Sequence, residues 1–429
     1  MSTHFQVAER WTQWTHQQPA VAVTPAGREV ASDRGAQQGD GFGAAQASLS
    51  LGEARTEAFT EYTGLGLRGS SDPSGVCDQW FVDDGQALVV PAFADAWLRC
   101  FDRALKPIGA TRGEGNDVKS VARLVCPPGR EGDYAGWDTA YIRNTCKVKT
   151  AAEGAKVLGT YVGSQAALRA HVETVAAEAA RTRDAITEVD HPATEMVLTR
   201  KCTDVSKLTY LLRTSGDLID TALLDNFDVG MKRAVETILG GSLQDAAWWQ
   251  ATIGVRYGGL GMREATAVVF PAFLGSRLAS RPLVKEMAGH MEAAGLGTEA
   301  QVMDRYDERT RSAFDRFANL MPEGIRPQLA TFAEEAAADA QASWELVRRG
   351  QTEADAMGAR RGPGAALLPE AGDEDEEHPH GNPQGCAMRL QAGISKIVDD
   401  CVRTGLVDFC SRHSNGQDSG GWMNSATSM

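Results

Sequence analysis

The sequence predicts an α+β fold: a small antiparallel sheet with backing helices, followed by an all-α region. Three observations carry this expectation. Apolar runs on either side of Asp83-Asp84-Gly85, within Gln79 to Val90, read as a tight hairpin. After Pro91, the residues Phe93, Trp97, Cys100, Phe101, Ala104 and Leu105 recur at helical spacing. From Ser164 onward nearly every segment has helical period.

Taken in order, residues 5–14 place Phe5, Val7, Ala8, Trp11 and Trp14 in a helical pattern that Pro19 closes. Residues 20–23 and 29–31 flank Thr24-Pro25-Ala26-Gly27 and read as a short hairpin. A helix is expected over residues 46–59, with Ser48, Leu49, Leu51 and Ala54 turned inward. The Gly-, Ser- and Asp-rich stretch 64–75 reads as a loop. In the Asp-Asp hairpin, Gly85 takes the left-handed position of the turn. Pro107 and Gly109 stop the amphipathic helix that Pro91 opens. Residues 118–125 read as a strand carrying Lys119, and residues 141–161 as one or two more strands around a turn at 150–154.

Leu168, Val172, Val175, Ala179 and Ile186 then line one helix. Met196, Leu198, Val205, Leu208 and Leu212 line the next. A third carries Ile219, Leu223, Phe227, Val235 and Ile238 and ends at Gly240-Gly241. Beyond residue 283 the helices become Ala- and Glu-rich, and the run Asp373 to Glu377 sits in a Pro/Gly/acidic linker. The expected divisions are a sheet-bearing domain 1–163, a helical region 164–280 and a helical extension 281–356. An acidic disordered linker 357–386 and a short helix with a disordered tail 387–429 follow.

At 429 residues and 42% apolar content, the chain can support two or three cores. No apolar run reaches the roughly 18 residues of a bilayer span. Residues 1–18 lack the basic start and apolar core of a secretory signal. The expected setting is therefore intracellular, nuclear or cytoplasmic, with no membrane partner. The eight cysteines show no CxxC spacing, which predicts free thiols, and Cys401, Cys410 and His413 fit no standard zinc pattern. A net charge of −14 argues against a protein that coats nucleic acid. Its distribution softens that objection, because thirteen acids against five Lys/Arg fall between Glu323 and Glu377. Arg143, Lys147, Lys149 and Lys156 form a locally basic stretch, as do Arg200, Lys201, Lys207 and Arg213. Either suits a phosphate backbone or an ordinary solvated face.

Neighbouring side chains of a regular strand point to opposite faces, so Asp83 and Asp84 can share a ligand only where a turn breaks the alternation. Two hard oxygen donors at a sheet edge suit Mg²⁺, which takes few carboxylates and leaves room for substrate phosphates. A solvated Asp-Gly turn fits the same residues.

The wider set of motifs resembles the palm of a non-LTR (LINE-like) retrotransposon reverse transcriptase. Gln37-Gln38-Gly39-Asp40 precedes Phe81-Val82-Asp83-Asp84, and Lys119-Ser120 and Val157-Leu158-Gly159 follow in the family's order. Tyr210-Leu211-Leu212-Arg213-Thr214, Ile238-Leu239-Gly240 and Tyr257-Gly258-Gly259-Leu260-Gly261-Met262-Arg263 extend the resemblance to residues 5–280. It implies a partial polymerase palm followed by a thumb-like helical region. It also implies nucleotidyl transfer with Mg²⁺ held by Asp83 and Asp84, on an RNA template, a DNA primer and dNTP. Gln38, Gly39 and Asp40 would lie beside the nucleotide and template, with Phe81 under the primer end. Lys119 would face the triphosphate, and Leu158 and Gly159 would lie in the primer-grip turn.

Two departures from the family pattern matter. Gly41 stands where the family usually has Pro. No counterpart of the earlier palm aspartate is present: Glu9, Glu29, Asp33 and Asp40 are the only acids in the first forty residues, and none lies in an apolar strand. The expectation is a reverse transcriptase fragment, inactive alone, whose N-terminal half would be a separate partner. A non-enzymatic nucleic-acid- or protein-binding scaffold is the alternative, and a helical interaction protein with an incidental hairpin is a third.

Overall fold

A computed structural model of the chain describes residues 20–23, 29–32, 43–67, 73–81, 84–112, 118–126, 129–150, 153–255 and 258–321, with isolated positions between 334 and 345. The expected helix at 5–14, the acidic linker and the tail lie outside the described residues. The fold is α+β and mostly helical. The chain divides into two compact units, the first running to residue 151 and taking in Lys285–Val302, the second holding Val284 and its predecessors from 152 together with the stretch after Met303.

In the first unit, β1 (Ala20–Val23) and β2 (Glu29–Ser32) pair antiparallel around the expected Pro/Gly turn sequence. Helix α1 (Gly43–Gly64) is longer than its sequence pattern suggested. Ala54, Ala58 and Tyr62 are buried and Leu51 packs against the same core as expected, while Ser48 faces solvent. The small alanines make room for α2 (Ala94–Leu105), which buries Trp97, Cys100, Phe101, Ala104 and Leu105 as the spacing predicted. Trp97 is the hub of this core. Its ring meets Tyr62 edge-on at 5.7 Å and stacks near Phe101 at 6.3 Å. A 3₁₀ turn at Pro91–Phe93 leads into α2, and left-handed Gly109 ends the 3₁₀ extension beyond it.

Strands β3 (Val76–Phe81) and β4 (Asp84–Val89) form the expected hairpin, in register from Phe81↔Asp84 to Val76↔Val89. The ladder runs as far as Phe81↔Asp84, so Asp84 and Gly85, expected in the turn, belong to the strand. Gly85 sits inside the ladder opposite Trp80 and has no left-handed φ, which corrects its expected turn role. Glycine is needed there because a Cβ would lie 2.3 Å from the Trp80 ring. Strand β5 (Val121–Arg123) is shorter than expected and leaves Lys119 outside it. It pairs parallel with β6 (Lys147–Lys149), which follows helix α3 (Ala140–Thr145). The Thr139 hydroxyl caps α3 by accepting the Ile142 amide at 3.3 Å.

The second unit opens with β7 (Ala155–Val157) and β8 (Thr160–Val162), an antiparallel pair. A single antiparallel sheet was expected; among the described residues there are instead four two-stranded ladders, one of them parallel.

Helices α4 (Gln165–Ile186), α5 (Pro192–Cys202), α6 (Thr209–Ser215), α7 (Thr221–Leu239), α8 (Asp245–Thr252), α9 (Ala265–Ala293) and α10 (Glu299–Leu320) follow. Ser164 caps α4, accepting the Ala167 amide at 3.2 Å, and left-handed Gly240 ends α7. Leu168, Leu208, Leu212, Leu224, Phe273 and Phe317 are central to the core. Helix α5 departs from its expected apolar stripe by burying Glu195 and Thr199. The Glu195 carboxylate accepts the His191 amide at 3.1 Å and so closes the helix N-terminus.

Candidate functional site

The residues of the Asp-Asp hairpin are held by a polar and aromatic anchor that motif reasoning missed. Asp78, buried on β3, accepts two hydrogen bonds from the Arg55 guanidinium of α1, at 2.7 and 2.9 Å. It also accepts the Trp80 indole N–H at 2.9 Å. The Trp80 ring lies over Gly85 and 5.2 Å from Phe101. An apolar-polar alternation alone gives no sign of this, although an acid two residues before a Trp in a strand places both on one face.

Asp84 opens β4 opposite Phe81 and is exposed. Asp83, Gln38, Gly39 and Asp40 lie outside the described residues, as does the side chain of Phe81. Lys119 is exposed and immediately precedes Ser120. A cavity of about 570 Å³ is lined by Gly85, the residue after Asp84, and by Ser120, the residue after Lys119. Neither Asp84 nor Lys119 itself lines it. Mg²⁺ takes oxygen donors, with one or two carboxylates beside substrate phosphates. The described part of the hairpin offers Asp84 alone, and no group of three His, Cys, Asp or Glu that could hold a metal exists among the described residues. Among the described residues, Asp84 by itself does not supply the donors of a metal centre.

A second charged cluster lies behind α2. Arg112 reaches Asp102 through two bonds of 2.6 Å and the Cys146 sulfur at 3.3 Å. The Tyr141 hydroxyl donates to the same carboxylate. Burial and the Asp102 charge push the Tyr141 phenol up to about 12. Burial opposes the Arg112 cation, yet Asp102 more than offsets it and its pKa is raised. These groups satisfy one another and form a fixed strut.

In the second unit, Leu158 and Gly159 join β7 to β8 with φ of 46° and 90°. A two-residue connection with both φ positive is the hairpin turn that suits strand twist. Leucine at such a position is strained. It is also 45% exposed, so burial does not explain it. The Gly159 carbonyl lies 3.1 Å from the His171 ring nitrogen, and a Cβ on Gly159 would touch Tyr210 at 3.4 Å.

The glycine loop after α8 has a structural cause. Gly258 and Gly261 are left-handed, and a Cβ on Gly259 would fall 2.1 Å from the Ile253 carbonyl. The Leu260 and Met262 amides both donate to Ala251 and close the loop onto α8.

Comparison with protein families, curated proteins and solved structures finds no match.

Proposed function

We propose that this chain is a reverse transcriptase-derived fragment, a partial palm followed by a thumb-like helical region, that does not transfer nucleotides by itself. The observation carrying the reading is the hairpin. Phe81-Val82-Asp83-Asp84 straddles its two-residue connection, and β4 and the segment after Lys119 border one cavity. The strained, exposed turn at Leu158-Gly159 agrees with a primer-contacting role, because strain concentrates where a loop serves a ligand.

Inactivity follows from the donor set. Phosphoryl transfer is driven almost wholly by positioning and charge, and two-metal sites hold their ions about 3.5–4 Å apart. Asp83 and Asp84 lack the third carboxylate that the family pattern supplies. The test is primer extension on an RNA template in Mg²⁺ or Mn²⁺ by the chain, its Asp83→Ala variant, and the chain fused to an upstream palm segment. No extension by the chain and extension by the fusion are expected. Extension by the chain that Asp83→Ala abolishes would refute the inactivity.

A non-catalytic binding scaffold is the second reading. It is supported if the fusion gains nothing.

A further inference from the structure

Helix α5 sits on its neighbours through polar side chains. Its buried positions are Glu195 and Thr199, and Thr203 at its C-terminal cap continues the same stripe one turn on. The other described helices of this unit each bury Leu, Ile, Val, Met, Phe or Trp. On α5, Met196 is only partly covered, against the cluster of Met231, Val235 and Trp248, and Val197 is 59% exposed. The Thr199 hydroxyl is buried with no hydrogen-bond partner among the described residues, which weighs against the seat. Little apolar burial therefore holds this helix down.

Its start depends on one acceptor. His191 is the N-cap, and its Nδ1 accepts the Thr194 amide at 3.2 Å. A backbone N–H can only donate, so Nδ1 carries the lone pair and the ring proton sits on Nε2. The Thr194 hydroxyl lies 2.8 Å from the same nitrogen. Glu195 supplies the reciprocal half of the cap by accepting the His191 amide at 3.1 Å. Asp190, just before it, is held at φ 57°, in the left-handed region that favours glycine. A second ring proton takes away the lone pair that answers the Thr194 amide. The hydroxyl can then accept from the ring instead, but the amide loses its partner. The proton also sets a positive charge at the helix end where the dipole disfavours it.

We propose that α5 is a pH-released element: protonation of His191 opens its first turn and, because a polar stripe holds the rest, loosens the helix from α4 and α7. The charges on the packed elements do not replace the lost acceptor. Arg183 of α4 donates to the Thr203 carbonyl at 3.1 Å, and Asp228 of α7 caps α9. Further along α7, Lys232 reaches Asp245, and Glu236 accepts the Leu243 amide. Asp204 caps the 3₁₀ turn after α5. Asp184 and Glu188, in the segment leading to the turn, are acids that draw a second proton to the ring without answering the amide. The loosening reaches the glycine loop, since a Cβ on Gly261 would meet Arg200 of α5 at 3.2 Å. None of this rests on the polymerase reading.

The experiment is hydrogen exchange of the full chain at about pH 7.5 and about pH 5.5, the range in which histidine side chains change charge. Rates are read as protection factors, so that the intrinsic pH dependence of exchange drops out. Protection at Thr194 and along Met196 to Cys202 is expected to fall about tenfold, the size of a lost N-cap together with a cation at the wrong end of the dipole. Val235, fully buried on α7, should keep its protection. His191→Ser leaves a capping oxygen that does not titrate and should make α5 indifferent to pH. His191→Asn gives the same reading if the serine variant misfolds. Glu195→Gln keeps an acceptor for the His191 amide and should leave the fall in place. No fall in the native chain, or the same fall in His191→Ser, would overturn the proposal. So would a fall that Glu195→Gln removes, which would make Glu195 the sensor, or an equal fall at Val235, which would make the loss global.

Discussion

Asp228 is where pH acts on a buried charge. It accepts the Ala265 amide at 2.7 Å, the Thr266 amide at 3.0 Å and the Thr266 hydroxyl at 2.7 Å, and so caps α9 from a different helix. Burial raises its carboxyl to about 6 against the pull of those three bonds. A raised pKa means the folded chain holds the proton more tightly than the unfolded one. The contribution is full below about pH 4 and is lost as pH rises to about 6, by roughly 1 kcal/mol per pH unit. Urea unfolding of the native chain and Asp228→Asn should show the native advantage shrinking across that window; a constant difference would sink the assignment. Leu158 offers the opposite sign. Leu158→Gly should raise stability by about 1 kcal/mol, since glycine accepts a φ of 46° without strain. If the turn serves a primer, the same variant should bind a labelled RNA–DNA hybrid more weakly while melting higher. Unchanged affinity would detach the strain from that role.

At the scale of elements, α2 and the hairpin stand or fall together. Trp97→Ala empties the centre of the α1–α2 core and should cost about 3–5 kcal/mol by denaturant titration. Gly85→Ala should cost about 1–3 kcal/mol, because Trp80 must swing off the strand and lose its bond to Asp78. An effect below about 0.5 kcal/mol would show that the indole moves freely. The α2 stripe was legible because one helix face is specified by residues three and four apart. So were β1–β2 and the Gly240 stop, which are local. The role of Gly85 was not, since Gly in a turn and Gly under an indole look alike in sequence. Nor was the parallel β5–β6 pair, whose partners lie over twenty residues apart and are chosen by tertiary packing. On α5 the apolar positions misled, because the buried Glu195 carboxylate takes the His191 amide, the Thr199 methyl and hydroxyl fill a fully buried position, and the exposed face keeps Val197. Of the candidate site, order along the chain was legible, while the Arg55–Asp78–Trp80 anchor depends on a helix 23 residues upstream.

At the scale of the whole molecule, no described helix is long and apolar enough to cross a membrane. The net charge of −14 makes any nucleic-acid binding depend on local basic stretches. Binding of an RNA–DNA hybrid should therefore fall steeply between 50 and 200 mM salt, and an affinity indifferent to salt would favour the protein-binding scaffold. The first unit is also discontinuous. It takes in Lys285–Val302, and the Gly75 amide, just before β3, donates to the Ala294 carbonyl at 2.9 Å. On the ribosome this sets an order of events. The hairpin segment emerges early but cannot complete its hydrogen bonding until some 200 further residues, as far as Ala294, have been made, roughly 10–40 s at about 5–20 residues per second. Through that interval the Gly75 amide waits for its acceptor, and the entry into β3 is tied to β4 only by the bond that the Gly75 carbonyl accepts from Val90.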